Sequence, residues 1–247
     1  MRSSRIIGVV ACVLAVGVAG GDARAARSAP PGALSPAALT KLSNERTLSR
    51  WANPEAEVTV RRSPAPGARR VGRLRFDTED GVSEVYLALR EYKDPSGQVW
   101  VEVRLPARPN GQKGWVPRAA LGEYHVVRSV LRIDRRSLQA RLVRRGKVIW
   151  RARVGVGKPS TPTPAGRFYV RERLVPAAGT IYGKLAFGLS AYASVSEWPG
   201  GGVVGIHGTN KPALIPGRPS AGCIRLRADD LRRLGRLLGI GTPVRIT

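Results

Sequence analysis

Val130-Leu131-Arg132-Ile133-Asp134, Gln139-Ala140-Arg141-Leu142-Val143 and the run from Val148 to Val156 decide the fold class of this chain. Apolar and polar residues alternate with period two in the first two segments, which is the signature of strands buried on one face. Arg135-Arg136-Ser137-Leu138 separates those two, and Arg145-Gly146 turns into the third, so an antiparallel meander is expected. Downstream, Pro159, Pro162 and Pro164 fall within six residues. Proline has no N–H to give a ladder, so this stretch reads as a stiff loop. Phe168-Tyr169-Val170 resumes a strand. A single helix is expected from Ala228 to Leu238, with Leu231, Leu234 and Leu238 on one face, Asp229 and Asp230 in the first turn, and Gly239 as a stop. The fold class is mainly β.

Upstream, residues 54–124 carry short β-rich runs at Val58–Val60, Val71–Phe76, Val85–Leu89 and Trp100–Leu105. Turn clusters such as Ser63-Pro64-Ala65-Pro66-Gly67 and Asp94-Pro95-Ser96-Gly97 divide them. That spacing predicts a small β-barrel. Residues 26–53 are Ala/Ser/Pro-rich and read as a flexible linker. Arg2 and Arg5, an uncharged apolar run from Ile6 to Gly20, and Ala23-Arg24-Ala25 together read as a secretory signal peptide over residues 1–25. An uncleaved N-terminal anchor is the alternative, and the only membrane contact the sequence suggests. The expected location is the secreted or cell-envelope space.

Export changes the meaning of the composition. Cys12 leaves with the signal, so Cys223 becomes the sole cysteine, without a disulfide partner. The two histidines, His125 and His207, cannot then complete a four-ligand zinc site, and neither metal nor cofactor is expected. The net charge is +25, of which +18 falls on residues 126–247. In an exported protein this suits anionic wall polymers and carboxylate-bearing substrates, not nucleic acid.

Chemistry concentrates in Gly205-Ile206-His207-Gly208-Thr209 and Ser220-Ala221-Gly222-Cys223-Ile224-Arg225-Leu226. A thiol is only slightly ionised at neutral pH, so a nucleophilic cysteine needs a base or a positive charge beside it. Pro212, Pro216, Gly217 and Pro219 make the connection between the two motifs a loop that can fold back and bring His207 to Cys223. A glycine at 222 lets backbone N–H groups converge before the sulfur, as an oxyanion hole requires. Arg225, two residues on, shares the face of Cys223 in an extended segment and can grip a substrate carboxylate, with Ser220 a further binding candidate.

The proline loop Thr161–Phe168, His207-Gly208-Thr209 and Ser220-x-Gly222-Cys223-Ile224-Arg225 resemble the L,D-transpeptidase catalytic domain of the YkuD family, over residues 126–247. Trp100-Val101-Glu102-Val103 and the closing Gly114-Trp115-Val116 make residues 54–124 resemble bacterial SH3-like domains of cell-envelope proteins. Together they imply an SH3-like β-barrel followed by a β-sandwich catalytic domain with one C-terminal helix. The resemblance implies that Cys223 is acylated by a peptidoglycan tetrapeptide stem, releases its terminal D-amino acid and passes the acyl group to an amine acceptor. It further implies His207 as general base and acid, the Gly208 carbonyl as its orienting partner, and the main-chain N–H groups of Gly222 and Cys223 as oxyanion donors. The family usually carries a second histidine where this chain has Ala221.

Sortase also orders His, Cys and Arg, but its Thr-Leu-x-Thr-Cys strand is absent here. A lysozyme-type glycosidase needs two carboxylates at the sugar. Residues 126–247 offer only Asp134, Glu172, Glu197, Asp229 and Asp230. Hydrolysis of the stem peptide, as an L,D-carboxypeptidase, and a non-catalytic wall-binding role remain as alternatives.

Overall fold

The structure, a computed structural model, describes residues 39–195 and 199–247. The expected signal peptide and the first part of the expected linker lie outside the described residues.

Residues 39–127 form one eight-stranded sheet: β1 (Leu39–Lys41), β2 (Ser49–Ala52), β3 (Thr59–Arg61), β4 (Arg70–Arg73), β5 (Tyr86–Lys93), β6 (Val99–Arg104), β7 (Lys113–Pro117) and β8 (His125–Val127). Pairing runs β4-β3-β7-β6-β5-β2-β8, with β1 also on β5. Val60, Leu74, Tyr86, Ala88, Val101, Val103 and Val116 fill its core. Two boundaries move. Residues 39–53 were expected to belong to the tether, yet β1 and β2 both pair with β5, and Ala52 is fully buried. Alternation over four residues is too short a signal to stand out beside a Pro- and Ala-rich stretch. At the other end, Val126 and Val127 pair with Arg50 and Ser49, so the first sheet runs two residues past the expected boundary at 126. His125 is thereby placed on β8, its ring stacked on Trp51 at a centroid distance of 4.3 Å.

The second region comprises β9 (Ser129–Asp134), β10 (Gln139–Arg144), β11 (Lys147–Arg153), β12 (Gly155–Gly157), β13 (Gly166–Leu174), β14 (Ala186–Tyr192), β15 (Val203–His207), β16 (Gly217–Ser220), β17 (Ile224–Arg225), helix α1 (Ala228–Gly235) and β18 (Pro243–Ile246). The strand order is β11-β10-β9-β18-β13-β14-β15-β17-β12-β16. The meander forms as expected, and its β10–β11 turn places Arg145 and Gly146 both at positive φ, 48° and 81°. Two successive positive φ values match the right-handed twist of a hairpin.

Strand β13 belongs to both halves of the sandwich. Gly166–Tyr169 pair with β18, whereas Val170 to Leu174 face β14. Between the halves lies a core of Leu131, Leu142, Phe168, Phe187, Leu189, Ile206 and Val244, which α1 completes through Leu231 and Leu234. The helix ends at Gly235, three residues before the expected Leu238, although Leu238 still buries itself in the same core.

The N-terminal sheet grips β13 and β14 through polar groups as well as through packing. Arg171 is buried in a bidentate ion pair with Glu84 and also meets Glu79 at 2.9 Å. Tyr169 donates its hydroxyl to the Val85 carbonyl at 2.9 Å. Asn110 both donates to the Tyr192 carbonyl, at 2.8 Å, and accepts from its N–H, at 2.9 Å. A buried arginine needs its charge matched and its donors used. The expected spacer module is therefore fastened to the second region by specific, directional contacts.

Candidate active site

Cys223 and His207 come together because β15 and β17 run parallel and adjacent. Ile206 is the register partner of Ile224, and His207 of Arg225. One step back along both strands, Gly205 lies beside Cys223 and donates its N–H to Sγ at 3.4 Å. Strand alternation then puts the side chains of Cys223, Arg225 and His207 on one face. Gly205 leaves the space between thiol and imidazole open: a methyl group there would lie 3.5 Å from His207 Cδ2 and 3.8 Å from Cys223 Sγ.

The imidazole is 3% exposed, and its Nδ1 lies 2.7 Å from the Gly208 carbonyl. A carbonyl can only accept, so Nδ1 carries the proton and Nε2 is left as the basic nitrogen. Nε2 is bonded to Cδ2, the ring atom that looks across Gly205 toward the sulfur. The expected orienting role of the Gly208 carbonyl agrees with this contact. Burial, reinforced by the charge of Arg225, drives the His207 pKa down to about 4, against the opposing pull of the Gly208 carbonyl. Burial pushes the Cys223 thiol up, opposed by the Gly205 N–H and by Arg225. At neutral pH the site therefore holds a neutral thiol beside a neutral imidazole.

The turn before Cys223 explains the Ser-x-Gly-Cys pattern. Ser220 donates its hydroxyl to the Cys223 carbonyl at 2.6 Å and accepts the Gly222 N–H at 3.2 Å. Gly222 has φ +130°, and a Cβ there would meet Ala193 Cβ at 2.7 Å. Glycine is thus required by conformation and by space alike. Thr163, from the proline loop, donates to the Gly222 carbonyl at 2.8 Å and accepts the Gly157 N–H at 2.9 Å, tying that loop to the turn. One expected role changes. The Gly222 N–H is committed to Ser220 Oγ, so it does not face an oxyanion, and the N–H directed at the sulfur is that of Gly205. Ser220 is 1% exposed and spends its proton inside the turn, so it builds the site, and it also lines the cavity beside Cys223.

Arg225 is half-buried, and its Nε is buried without a hydrogen-bond partner among the described residues. It lines a cavity of about 410 Å³ together with Cys223, His207, Ala221, Tyr182 and Glu172. Tyr182 carries no motif signal in the sequence. Its ring meets His207 edge-on at 4.8 Å, and its carbonyl accepts the Gly208 N–H at 2.7 Å. Tyr182 lies in the irregular stretch between β13 and β14, where no period exists to betray it. Among the described residues, no three His, Cys, Asp or Glu side chains are grouped to hold a metal ion.

A buried base, an adjacent thiol and a cationic side chain on parallel strand edges define a cysteine–histidine site on a β-sandwich. Residues 128–246, just under half of the chain, match the family model of the L,D-transpeptidase catalytic domain, YkuD. Over 107 residues the chain is 35% identical to a Bacillus licheniformis protein named for L,D-transpeptidase YkuD, covering 43% of this chain and 58% of that protein. Its Bacillus subtilis namesake is 38% identical over 93 residues, or 38% of this chain and 50% of that one. The chain thus spans about half the length of the curated relatives it matches. Among solved structures, a cysteine variant of the Enterococcus faecium L,D-transpeptidase is 26% identical, with a TM-score of 0.40, covering 48% of this chain and 49% of that one.

Proposed function

We propose that this protein is an exported L,D-transpeptidase in which Cys223 carries the acyl group. The reading is supported chiefly by the juxtaposition of Gly205, His207, Cys223 and Arg225 on one face of the β15–β17 edge. As Sγ attacks the carbonyl between the third and fourth residues of a tetrapeptide stem, His207 Nε2 takes the thiol proton. The C–N bond then breaks, and the imidazolium returns that proton to the departing D-amino acid. An incoming amine repeats the sequence in reverse: it loses a proton to Nε2 as its nitrogen attacks the thioester, and the thiol is regenerated.

A base of pKa about 4 abstracts a proton only as the sulfur forms its new bond, so proton transfer and attack are coupled here. Arg225 offers its unpaired Nε to a substrate carboxylate or to the developing oxyanion. The N-terminal signal pattern supports export, and the β module over residues 39–127 serves as an SH3-like element of wall attachment. Mass spectrometry of the protein incubated with a disaccharide tetrapeptide and an amine acceptor tests the proposal. Cross-linked product and a tripeptidyl-Cys223 adduct are expected. A hydrolysed tripeptide as sole product would reassign the protein as a carboxypeptidase, and no adduct at all would refute the mechanism.

A further inference from the structure

Glu172, Gly188, Gly205 and Cys223 form a single row across β13, β14, β15 and the residue just before β17. Glu172 is the register partner of Gly188, and Gly188 of Gly205, which in turn lies beside Cys223. The two glycines make a bare floor between a carboxyl at one end and the thiol at the other. A Cβ on Gly188 would lie 2.0 Å from Glu172 Oε1, so the carboxyl leans over that floor. Opposed Cβ positions on antiparallel strands are about 5 Å apart, which puts Oε1 and Sγ at most about 11 Å from each other. Both residues line the same cavity.

Glu172 is 2% exposed, and its two oxygens have different fates. Oε2 accepts the hydroxyl of Thr78, from the N-terminal sheet region, at 2.6 Å. Oε1 is buried with no hydrogen-bond partner among the described residues. Leaving a carboxylate oxygen buried and unpaired is costly, so such an oxygen is either protonated or waiting for a donor. Burial accordingly holds its pKa near 7, against the opposing effects of Thr78 and Arg171. Asp80 lines the cavity at the same end, whereas Arg225 lies at the thiol end. The cavity is bipolar, in a chain of net charge +25 whose residues 126–247 contain only five carboxylates.

We infer that Glu172 is the subsite for a primary ammonium group on the acyl donor, anchored there by Thr78. The inference rests on Cys223 being the acylated residue. With the ammonium nitrogen about 2.8 Å from Oε1 and the reacting carbonyl carbon about 3.3 Å from Sγ, both on the line joining them, the span left is at most about 5 Å. A bent diamino-acyl side chain covers that distance. The reacting amine of an acceptor must instead reach the acyl carbon itself, so the group bound at Glu172 is a spectator that selects the donor. Glu172 is in this sense a specificity residue, and Thr78 a positioning residue.

The test compares two peptides that differ only at the acyl position, a lysyl tetrapeptide and its Nε-acetyl analogue, by the rate of D-amino-acid release. The native protein is expected to favour the lysyl peptide in kcat/KM by about tenfold or more, the size of a buried charge-assisted hydrogen bond. Glu172→Gln should bring that ratio within about twofold, and Thr78→Val should lower it part of the way. The same pair of peptides is titrated calorimetrically into Cys223→Ala, which binds but cannot be acylated. A lysyl preference there supports the subsite even if no turnover is found, which separates this inference from the proposed reaction. Equal binding of the two peptides by Cys223→Ala, or an undiminished preference in Glu172→Gln, would overturn it.

Discussion

His207 and Arg225 are register partners on the parallel strands β15 and β17, and this pairing places a permanent cation beside an imidazole. The arrangement raises the cost of imidazolium and favours thiolate, since Arg225 lowers the pKa of both His207 and Cys223. Burial works the other way on the thiol and is the larger effect there. The resting pair is neutral, unlike the thiolate–imidazolium pairs of cysteine enzymes whose thiol pKa is depressed.

Alkylation of Cys223 by iodoacetamide should therefore climb about tenfold per pH unit between pH 6 and 8, with no plateau. Stopped-time mass spectrometry across pH 5–10 gives the profile. His207→Ala should leave that slope intact while slowing peptide acylation by 10²-fold or more, because the small reagent needs only thiolate and the peptide needs proton transfer. An acidic plateau in the native profile would show an ion pair and contradict the neutral pair.

Arg225→Met should depress alkylation at each pH below the thiol pKa, by removing the charge that favours thiolate. It should depress peptide acylation further, because the donor with the unpaired Nε is also lost. Equal effects on the two rates would restrict Arg225 to tuning the sulfur.

Much of this site is legible in the sequence. His207, Cys223 and Arg225 declared themselves because catalytic thiols require a base and a charge, and because strand alternation puts residues two apart on one face. What escaped was governed by pairing across the chain. Gly205 and Gly188 look like ordinary strand glycines until register sets them in line with Glu172. In sequence Glu172 reads only as half of an absent sugar-cleaving pair, since burial and an unpaired oxygen leave no mark there. The engagement of the Gly222 N–H by Ser220 has the same origin: a turn's internal hydrogen bonds follow from its φ and ψ values. β1 and β2 leave little trace in sequence because short strands in Pro-rich surroundings carry little periodic signal.

Gly222→Ala combines a strained φ with a 2.7 Å clash against Ala193, so it should cost about 2–3 kcal/mol and displace the turn that presents the thiol. Gly239→Ala is the control, since nothing lies within 4 Å of a Cβ there. Urea unfolding should place the control within about 0.5 kcal/mol of the native protein. Similar losses in both variants would dismiss the conformational argument.

Glu84→Leu leaves Arg171 buried with only Glu79 to match its charge, and should cost about 3 kcal/mol. Replacing both Glu84 and Arg171 by leucine removes the uncompensated ion and should cost less than the single change. Should the double variant prove the weaker one, the pair would be shown to contribute net stability between the two β regions.

Glu172 and His207 oppose each other in the dependence of stability on pH. The folded-state pKa of Glu172 is raised to about 7 from 4.5, so its contribution is complete below pH 4.5 and is lost as pH rises through 7. That of His207 is lowered to about 4 from 6.5, so its contribution is present above pH 6.5 and is lost as pH falls through 4. Between about pH 4.5 and 6.5 the two slopes nearly cancel. The groups setting the Glu172 value are Thr78, Asp80, Glu84 and Arg171, all retained in Glu172→Gln. Relative to the native protein, Glu172→Gln should therefore gain stability as pH rises from 4.5 to 7, by an amount on the order of 3 kcal/mol. His207→Gln should gain relative stability in the opposite direction, as pH falls from 6.5 to 4. Urea titrations at half-unit pH steps measure both differences, and background carboxylates drop out because each variant is referred to the native protein at the same pH. A difference that stays constant with pH for Glu172→Gln would mean that the carboxyl titrates alike in folded and unfolded chains, and that burial does not raise its pKa.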